Sequence, residues 1–208
     1  MPIIAVEGTI GAGKTTFLKN LSNELKNSGI KHGLLCEPVS EWRSFGPSQQ
    51  NLLREMYHDP KAYSFDFQLV ALLTKCEQVA NQSEKILLIE RTIGSQLNVF
   101  LPILKENNSI TNLEFEICSR FMVYLSSLET HSTSFTVYIR VSPVLAKERI
   151  IQRGRIEEKE ISAEYLQKIH QKYEDWLSHA ENVLVLDSES AEQESKCLKE
   201  ILLKIKNW

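Results

Sequence analysis

Residues Gly8-Thr9-Ile10-Gly11-Ala12-Gly13-Lys14-Thr15 have the form G-x-x-x-x-G-K-[ST]. The chemistry of that pattern is phosphate binding. Glycines let backbone N–H groups close around an anion, and the N-terminus of a following helix adds partial positive charge. Gly8, Gly11, Ala12 and Gly13 are the candidate cradle, with Thr16 just beyond it. Lys14 is placed to reach the β- and γ-phosphates of a nucleotide such as ATP, and the Thr15 hydroxyl to hold Mg²⁺. The context fits: the apolar run Ile3–Val6 precedes the loop, and Thr15–Asn27 follows with Phe17, Leu18, Leu21 and Leu25 on one helical stripe. The loop implies a nucleotide donor and leaves the acceptor open.

Other charged residues sit where strands are expected to end. Glu37 follows Gly33–Cys36, and Pro38 restricts it to an extended backbone, so its carboxylate should project beside the phosphate loop. There it could take the proton of an attacking hydroxyl. Glu90-Arg91-Thr92 follows Lys85–Ile89 in the same way. Glu90 is a second candidate Mg²⁺ ligand, and Arg91 could hold a substrate oxygen or the Glu37 carboxylate. Arg149, Arg153 and Arg155 cluster around Gly154 and precede Glu157 and Glu158, which suits a short lid over about 149–160 that closes on phosphates. Read one at a time, each of these is equally an ordinary surface charge, a helix-end acid or a solvated charge run.

The elements that must position these groups alternate. Strands are expected at Ile3–Val6, Gly33–Cys36, Lys85–Ile89, Phe135–Val141 and Val183–Leu186. Helices are expected at Thr15–Asn27, Ser64–Asn81, Leu113–Glu129, Ser162–Ala180 and Ala191–Lys206. That order means an α/β fold with a parallel five-stranded sheet flanked by helices, and ligands at the strands' carboxyl ends. The 208 residues fit one domain, 1–208. Asn107–Asn112 reads as an exposed polar loop and Arg153–Glu160 as a mobile segment. A net charge of −3 offers no footprint for nucleic acid. The four dispersed cysteines form no metal or redox pair and point to a reducing compartment. Without a signal-like start or a membrane-length apolar run, the expected location is cytoplasmic, the host cytoplasm if the source is viral.

Together these residues resemble the deoxyribonucleoside kinase family, which includes deoxycytidine, deoxyguanosine and mitochondrial thymidine kinases and the insect multisubstrate enzyme. Glu37-Pro38-Val39 with Trp42 looks like that family's E-P-V…W motif, and Met56-Tyr57 with Tyr63–Gln68 like its M-Y…W-S-F-x-F-Q segment. Glu90-Arg91-Thr92 is similar to its E-R-S, and Arg149–Glu158 to its lid, followed by Tyr165-Leu166, His170 and Trp176-Leu177. The resemblance covers nearly the whole chain. The short N-terminus, beginning at the first strand, is like that of viral or minimal members.

The resemblance implies roles. Glu37 would be the general base for a deoxynucleoside 5′-hydroxyl, and Arg91 would contact that hydroxyl and the base carboxylate. Gln68 would pair with the nucleobase through both ends of its amide. Tyr57 and Glu158 would bind the 3′-hydroxyl. Trp42 and Phe67, with Phe100 nearby, would line the base pocket, and Arg149, Arg153 and Arg155 would grip phosphates. Where deoxycytidine and deoxyguanosine kinases face the base with an arginine and an aspartate, this chain has Lys75 and Gln96, and Ala71 leaves extra room. That favours pyrimidine deoxynucleosides, thymidine included, over strict cytidine use. A homodimer through helices near Gln96–Glu106 and Leu113–Glu129, and inhibition by a deoxynucleoside triphosphate, are further implications. The alternatives are broad or purine preference, a nucleoside monophosphate kinase, and a non-catalytic relative.

Overall fold

The computed structural model describes residues 2–128, 133–188 and 191–206. Its centre is β1 (Ile3–Glu7), every residue of which is buried. Runs of this kind, apolar on both faces, belong to the middle of a parallel sheet covered by helices. The other strands are β2 (Gly33–Leu35), β3 (Leu87–Glu90), β4 (Phe135–Arg140) and β5 (Val183–Asp187). All pair in parallel, in the order β2-β3-β1-β4-β5. Five strands were expected and five form among the described residues, with ends shifted by one or two residues.

Alternation along the strands divides the core into two layers. Ile4, Val6 and Leu88 join Leu18, Leu21 and Leu25 of α1 (Lys14–Asn27) in one cluster. Ile3, Ala5, Leu87 and Ile89 join Val79 of α4 (Pro60–Ala80) in the other. Between these elements lie α2 (Val39–Trp42) and α3 (Leu52–His58), which the sequence reading did not anticipate. α4 begins four residues before the expected Ser64. Asp59 caps it by accepting from the Ala62 N–H at 3.2 Å, and Pro60 opens it, where a missing N–H costs nothing.

After β3 the chain runs through α5 (Ile93–Ser95), a π-helical turn at Gln96–Phe100 and α6 (Leu101–Glu106). The π turn is the kind of local irregularity that gathers at functional sites. The following loop is less exposed than expected: Ser109 and Ile110 are buried, and Thr111 closes a capping box with Glu114 at the start of α7 (Asn112–Ser126). Glu129, the expected end of that helix, lies outside the described residues. α8 (Pro143–Arg153), a 3₁₀ turn (Ile156–Glu158), α9 (Ala163–Leu177) and α10 (Ala191–Lys206) complete the fold. Among the described residues no helix is long and apolar enough to cross a membrane.

Candidate active site

The connection from β1 leads towards β2 and the connection from β3 towards β4, on opposite sides, although β1 and β3 are neighbours. Their carboxyl ends therefore flank a crevice, the place where α/β sheets bind ligands. The glycine-rich loop leaves β1 here and Glu90-Arg91 leaves β3. Glu37, expected directly beside the loop, is one strand further away, because β3 lies between β1 and β2. Arg91 closes that gap. Its Nη1 donates to Glu37 Oε1 at 2.5 Å and its Nη2 to the Gly8 carbonyl at 3.3 Å.

Two glycines of the loop are required sterically. Gly11 has φ +81, and a Cβ there would stand 2.5 Å from the Ala146 carbonyl oxygen. Gly8 has φ +145, and a Cβ would stand 2.6 Å from that of Ile139. Gly13 and Lys14 begin α1. Lys14 is buried and donates to the Thr9 carbonyl at 2.9 Å, with Glu90 Oε1 at 3.9 Å. Burial and then Arg91 pull its ammonium down to about 8, against the pull of Glu90, Glu37 and Glu7. Thr15 Oγ1 donates to Glu90 Oε2 at 2.8 Å. A hydroxyl and a carboxylate in contact at the mouth of a phosphate loop fit Mg²⁺, which takes one or two protein oxygens and completes its shell with phosphate and water.

A cavity of about 240 Å³ opens beside the loop. Lys14, Thr15, Glu37, Glu90 and Arg91 line its polar end. Trp42, Phe67, Ala71 and Phe100 add apolar lining, and Tyr57, Gln68, Lys75 and Gln96 add further polar side chains. Trp42 and Phe67 meet edge to face at 5.3 Å, and the Trp42 indole N–H donates to Thr74 Oγ1 at 3.2 Å, which fixes the wall. Gln96 Nε2 donates to the Gln68 side-chain and backbone oxygens, both at 3.1 Å, so the π turn steadies the Gln68 amide. Lys75 is buried and donates to the Glu90 carbonyl at 2.8 Å. Burial lowers its pKa, and Glu37 and Glu90 oppose that. Burial pushes the Glu37 carboxyl up, but Arg91, Lys14 and the Arg91 hydrogen bond together hold it below its ordinary value. Burial first, then Tyr165 and Glu158, keep the Tyr57 phenol neutral far above neutral pH.

Arg153 and Arg155 reach the same cavity, as does Glu158. Both arginines pair with the buried Glu158 carboxylate. Arg149 and Arg153 lie in the last turns of α8 rather than on a loop, and α8 ends at Gly154 with φ +69. Arg149 Nη1 donates to Ser188 Oγ at 3.0 Å and Nη2 to the Ser188 carbonyl at 3.2 Å. It lines a second cleft with Gly11, Ala12, Gly13, Thr16 and Arg153, behind the loop. The lid segment is tied down: Glu157 accepts from Arg43 Nη2 at 2.8 Å and Asn51 Nδ2 at 3.0 Å.

Every residue expected to serve in catalysis or to bind phosphate, nucleoside or Mg²⁺ thus lies at one of the two clefts except Gly8, which contributes its carbonyl to Arg91. Sequence reasoning missed Glu7, Arg43, Asn51 and Tyr173. For Glu7 a signal was present, a charged residue ending an otherwise apolar strand next to the phosphate loop. Arg43, Asn51 and Tyr173 carry none, since polar surface residues and a helix aromatic are ordinary.

Residues 4–208 match the deoxynucleoside kinase family. The chain is 32% identical over 199 residues to mouse deoxycytidine kinase, covering 85% of this chain and 75% of the relative. It is 29% identical over 196 residues to the mitochondrial deoxyguanosine kinase of Xenopus laevis (84% and 72%). To the human mitochondrial thymidine kinase 2 it is 32% identical over 176 residues (84% and 64%). A family match over almost the full length, on a parallel sheet with a phosphate loop and an acid–arginine pair at its switch point, places the chain in the deoxynucleoside kinase family and makes it an ATP-dependent kinase.

Proposed function

We propose that the chain transfers the γ-phosphoryl group of ATP to the 5′-hydroxyl of a deoxynucleoside, with a preference for pyrimidines including thymidine. The observation that carries the reading is the Glu37–Arg91 pair, 2.5 Å apart, in the same cavity as Lys14 of the phosphate loop. A hydroxyl acceptor needs a base and an already ionised phosphate acceptor does not, so a carboxylate here favours a nucleoside over a nucleoside monophosphate.

In this mechanism Glu37 takes the proton of the 5′-hydroxyl, and Arg91 orients both. Lys14, Arg153 and Arg155 offset charge on the transferring group, while Arg149 holds phosphate at the second cleft. Thr15 and Glu90 would hold Mg²⁺, which supplies further charge compensation along the phosphates. Tyr57 and Glu158 take the 3′-hydroxyl. Trp42, Phe67 and Phe100 enclose the base, and Gln68, set by Gln96, reads its edge. Lys75 and Gln96 bring no carboxylate to their positions, which suits a base edged by carbonyl oxygens, such as thymine, better than one with an exocyclic amine. Residues 149–160 act as the lid of a single catalytic unit.

A homodimer belongs to the same reading. Leu113, Phe121, Tyr124 and Leu128 form an exposed stripe on and just after α7, with Leu73 of α4 also exposed. In α6, Leu101, Ile103 and Leu104 are buried within the subunit, so α7 rather than the 96–106 segment offers the apolar surface.

The test is incubation with ATP, Mg²⁺ and each deoxynucleoside or deoxynucleoside monophosphate in turn. Deoxynucleosides should be converted, thymidine with a higher kcat/KM than the purines. Product from monophosphates alone, or from no acceptor, would overturn the reading.

A further inference from the structure

The carboxyl of Glu7, at the end of β1, has no part in the mechanism above, yet three hydrogen bonds converge on it. Its Oε1 accepts from the Thr92 backbone N–H at 2.7 Å and the Thr92 hydroxyl at 2.8 Å. Its Oε2 accepts from the Tyr173 hydroxyl at 3.2 Å. Tyr173 is fully buried, and its oxygen in turn accepts from Arg91 Nε at 3.3 Å. Its ring stacks on Tyr138 at 5.7 Å and on Trp176 at 6.1 Å, so the hydroxyl is held in place. Neither Glu7 nor Tyr173 lines the cavity.

Arg91 leaves β3 with φ +55, a left-handed conformation that residues with a side chain seldom adopt. Its own N–H donates to the Val6 carbonyl at 3.0 Å, and the next N–H, that of Thr92, is the one Glu7 binds. One buried carboxylate therefore holds Arg91 from two directions, its backbone through Thr92 and its guanidinium through Tyr173. With Nε taken by Tyr173 and Nη2 by the Gly8 carbonyl, Nη1 is left facing Glu37. The Phe100 ring, 5.0 Å from Cζ, limits movement of the guanidinium out of that plane.

We propose that Glu7 and Tyr173 are positioning residues for phosphoryl transfer, fixing the Arg91 guanidinium, and through it the Glu37 carboxylate, relative to the phosphate loop. The proposal rests on Glu37 being the base. Other titratable groups around Glu37 are Lys14 and Lys75, with Cys36, Tyr57 and Glu90 beside them, and the variants below leave all of these unchanged.

The experiment compares Tyr173→Phe, which keeps the ring stack and removes the relay hydroxyl, with Glu7→Gln and with the double variant. Losing a hydrogen bond that orients a charged group should lower kcat about tenfold in Tyr173→Phe, with the KM for ATP little changed. A looser Arg91 lets the Glu37 carboxyl return towards its ordinary value, so the acidic limb of kcat/KM should move to higher pH. Acting as one relay, the double variant should lose no more than Glu7→Gln alone. An unshifted acidic limb in Tyr173→Phe, whatever happens to thermal stability, or losses that multiply, would overturn the proposal. Should Glu7→Gln not fold, Tyr173→Phe decides by itself. An active Glu37→Gln would sink the functional reading; an inactive Glu37→Gln beside a wild-type-like Tyr173→Phe would sink only this one.

Discussion

Replacing Glu37 by Gln exchanges a carboxylate oxygen for an amide nitrogen and leaves side-chain size unchanged. The effect on rate and the effect on stability can be separated from the structure. For the rate, a positioned general base contributes about 10²–10⁴-fold, equivalent to about 2.7–5.4 kcal/mol of barrier. For stability, breaking a buried ion pair costs about 3–5 kcal/mol when the remaining charge is left without a partner. Arg91 is not so left, because Tyr173 and the Gly8 carbonyl still accept from it, and the Glu37 side chain is 19% exposed. The loss of stability should therefore be about 1–3 kcal/mol, and the variant should fold. The assay is steady-state ADP release with thymidine, with the thermal midpoint and the ATP dissociation constant measured on the same preparations. The expected result is a fall in kcat of about 100-fold or more with ATP affinity nearly unchanged. A folded variant whose kcat stays within about threefold of wild type would refute the base assignment.

Lys14, brought down to about 8 by burial and then Arg91, should regain its proton when phosphate arrives, so ATP affinity should fall and proton uptake on binding should rise as pH increases through about 8; calorimetry in buffers of different ionisation enthalpy checks this, and a flat dissociation constant from about pH 7 to 9.5 would contradict it. Gly11→Ala should cost about 2–4 kcal/mol and abolish tight ATP binding, since its Cβ would meet the Ala146 carbonyl at 2.5 Å. Gly29→Ala, at φ +72 with nothing within 4 Å, should cost only about 1 kcal/mol in urea unfolding. Burial raises the Glu157 carboxyl but Arg43 and Asn51 bring it down to about 2, below its ordinary 4.5, so its stabilisation is complete above 4.5 and lost as pH falls towards 2. Because Arg43 is 40% exposed, the urea-midpoint gap between wild type and Glu157→Gln should correspond to about 1 kcal/mol near neutral pH and close in acid. Light scattering should find the proposed homodimer in the wild type and a monomer in Phe121→Glu with Tyr124→Glu.

Much of the fold was legible because its signals are local. Five short apolar runs, four of them with β-branched residues, became five strands among the described residues, and the glycine pattern between an apolar strand and an amphipathic helix became the loop and α1. Helix starts were harder to read. Asp59 and Thr111 cap α4 and α7, but such residues also populate loops, and only tertiary contact decides between the two. α2 and α3 are too short for a helical period to show. The residues of the site were legible one by one, and a pairing of Arg91 with Glu37 was one of two options for that arginine, but the strand order around them was not legible. That Arg91 spans the gap between β1 and β2 follows from strand order, which no local pattern encodes. The lid shows the same limit. A charged run around Gly154 reads as mobile, while Glu157 and Glu158 are buried and paired with groups as distant in sequence as Arg43.

Transfer of a phosphoryl group to a nucleoside 5′-oxygen is decided by phosphorus NMR of the enzyme with ATP, Mg²⁺ and thymidine, with 5′-deoxythymidine as the paired acceptor. The expected spectrum contains a new phosphomonoester coupled to the two 5′-methylene protons of thymidine, growing in step with ADP, and no product from 5′-deoxythymidine. A phosphoester on the 3′-oxygen, product from 5′-deoxythymidine, or ADP with inorganic phosphate alone would contradict it.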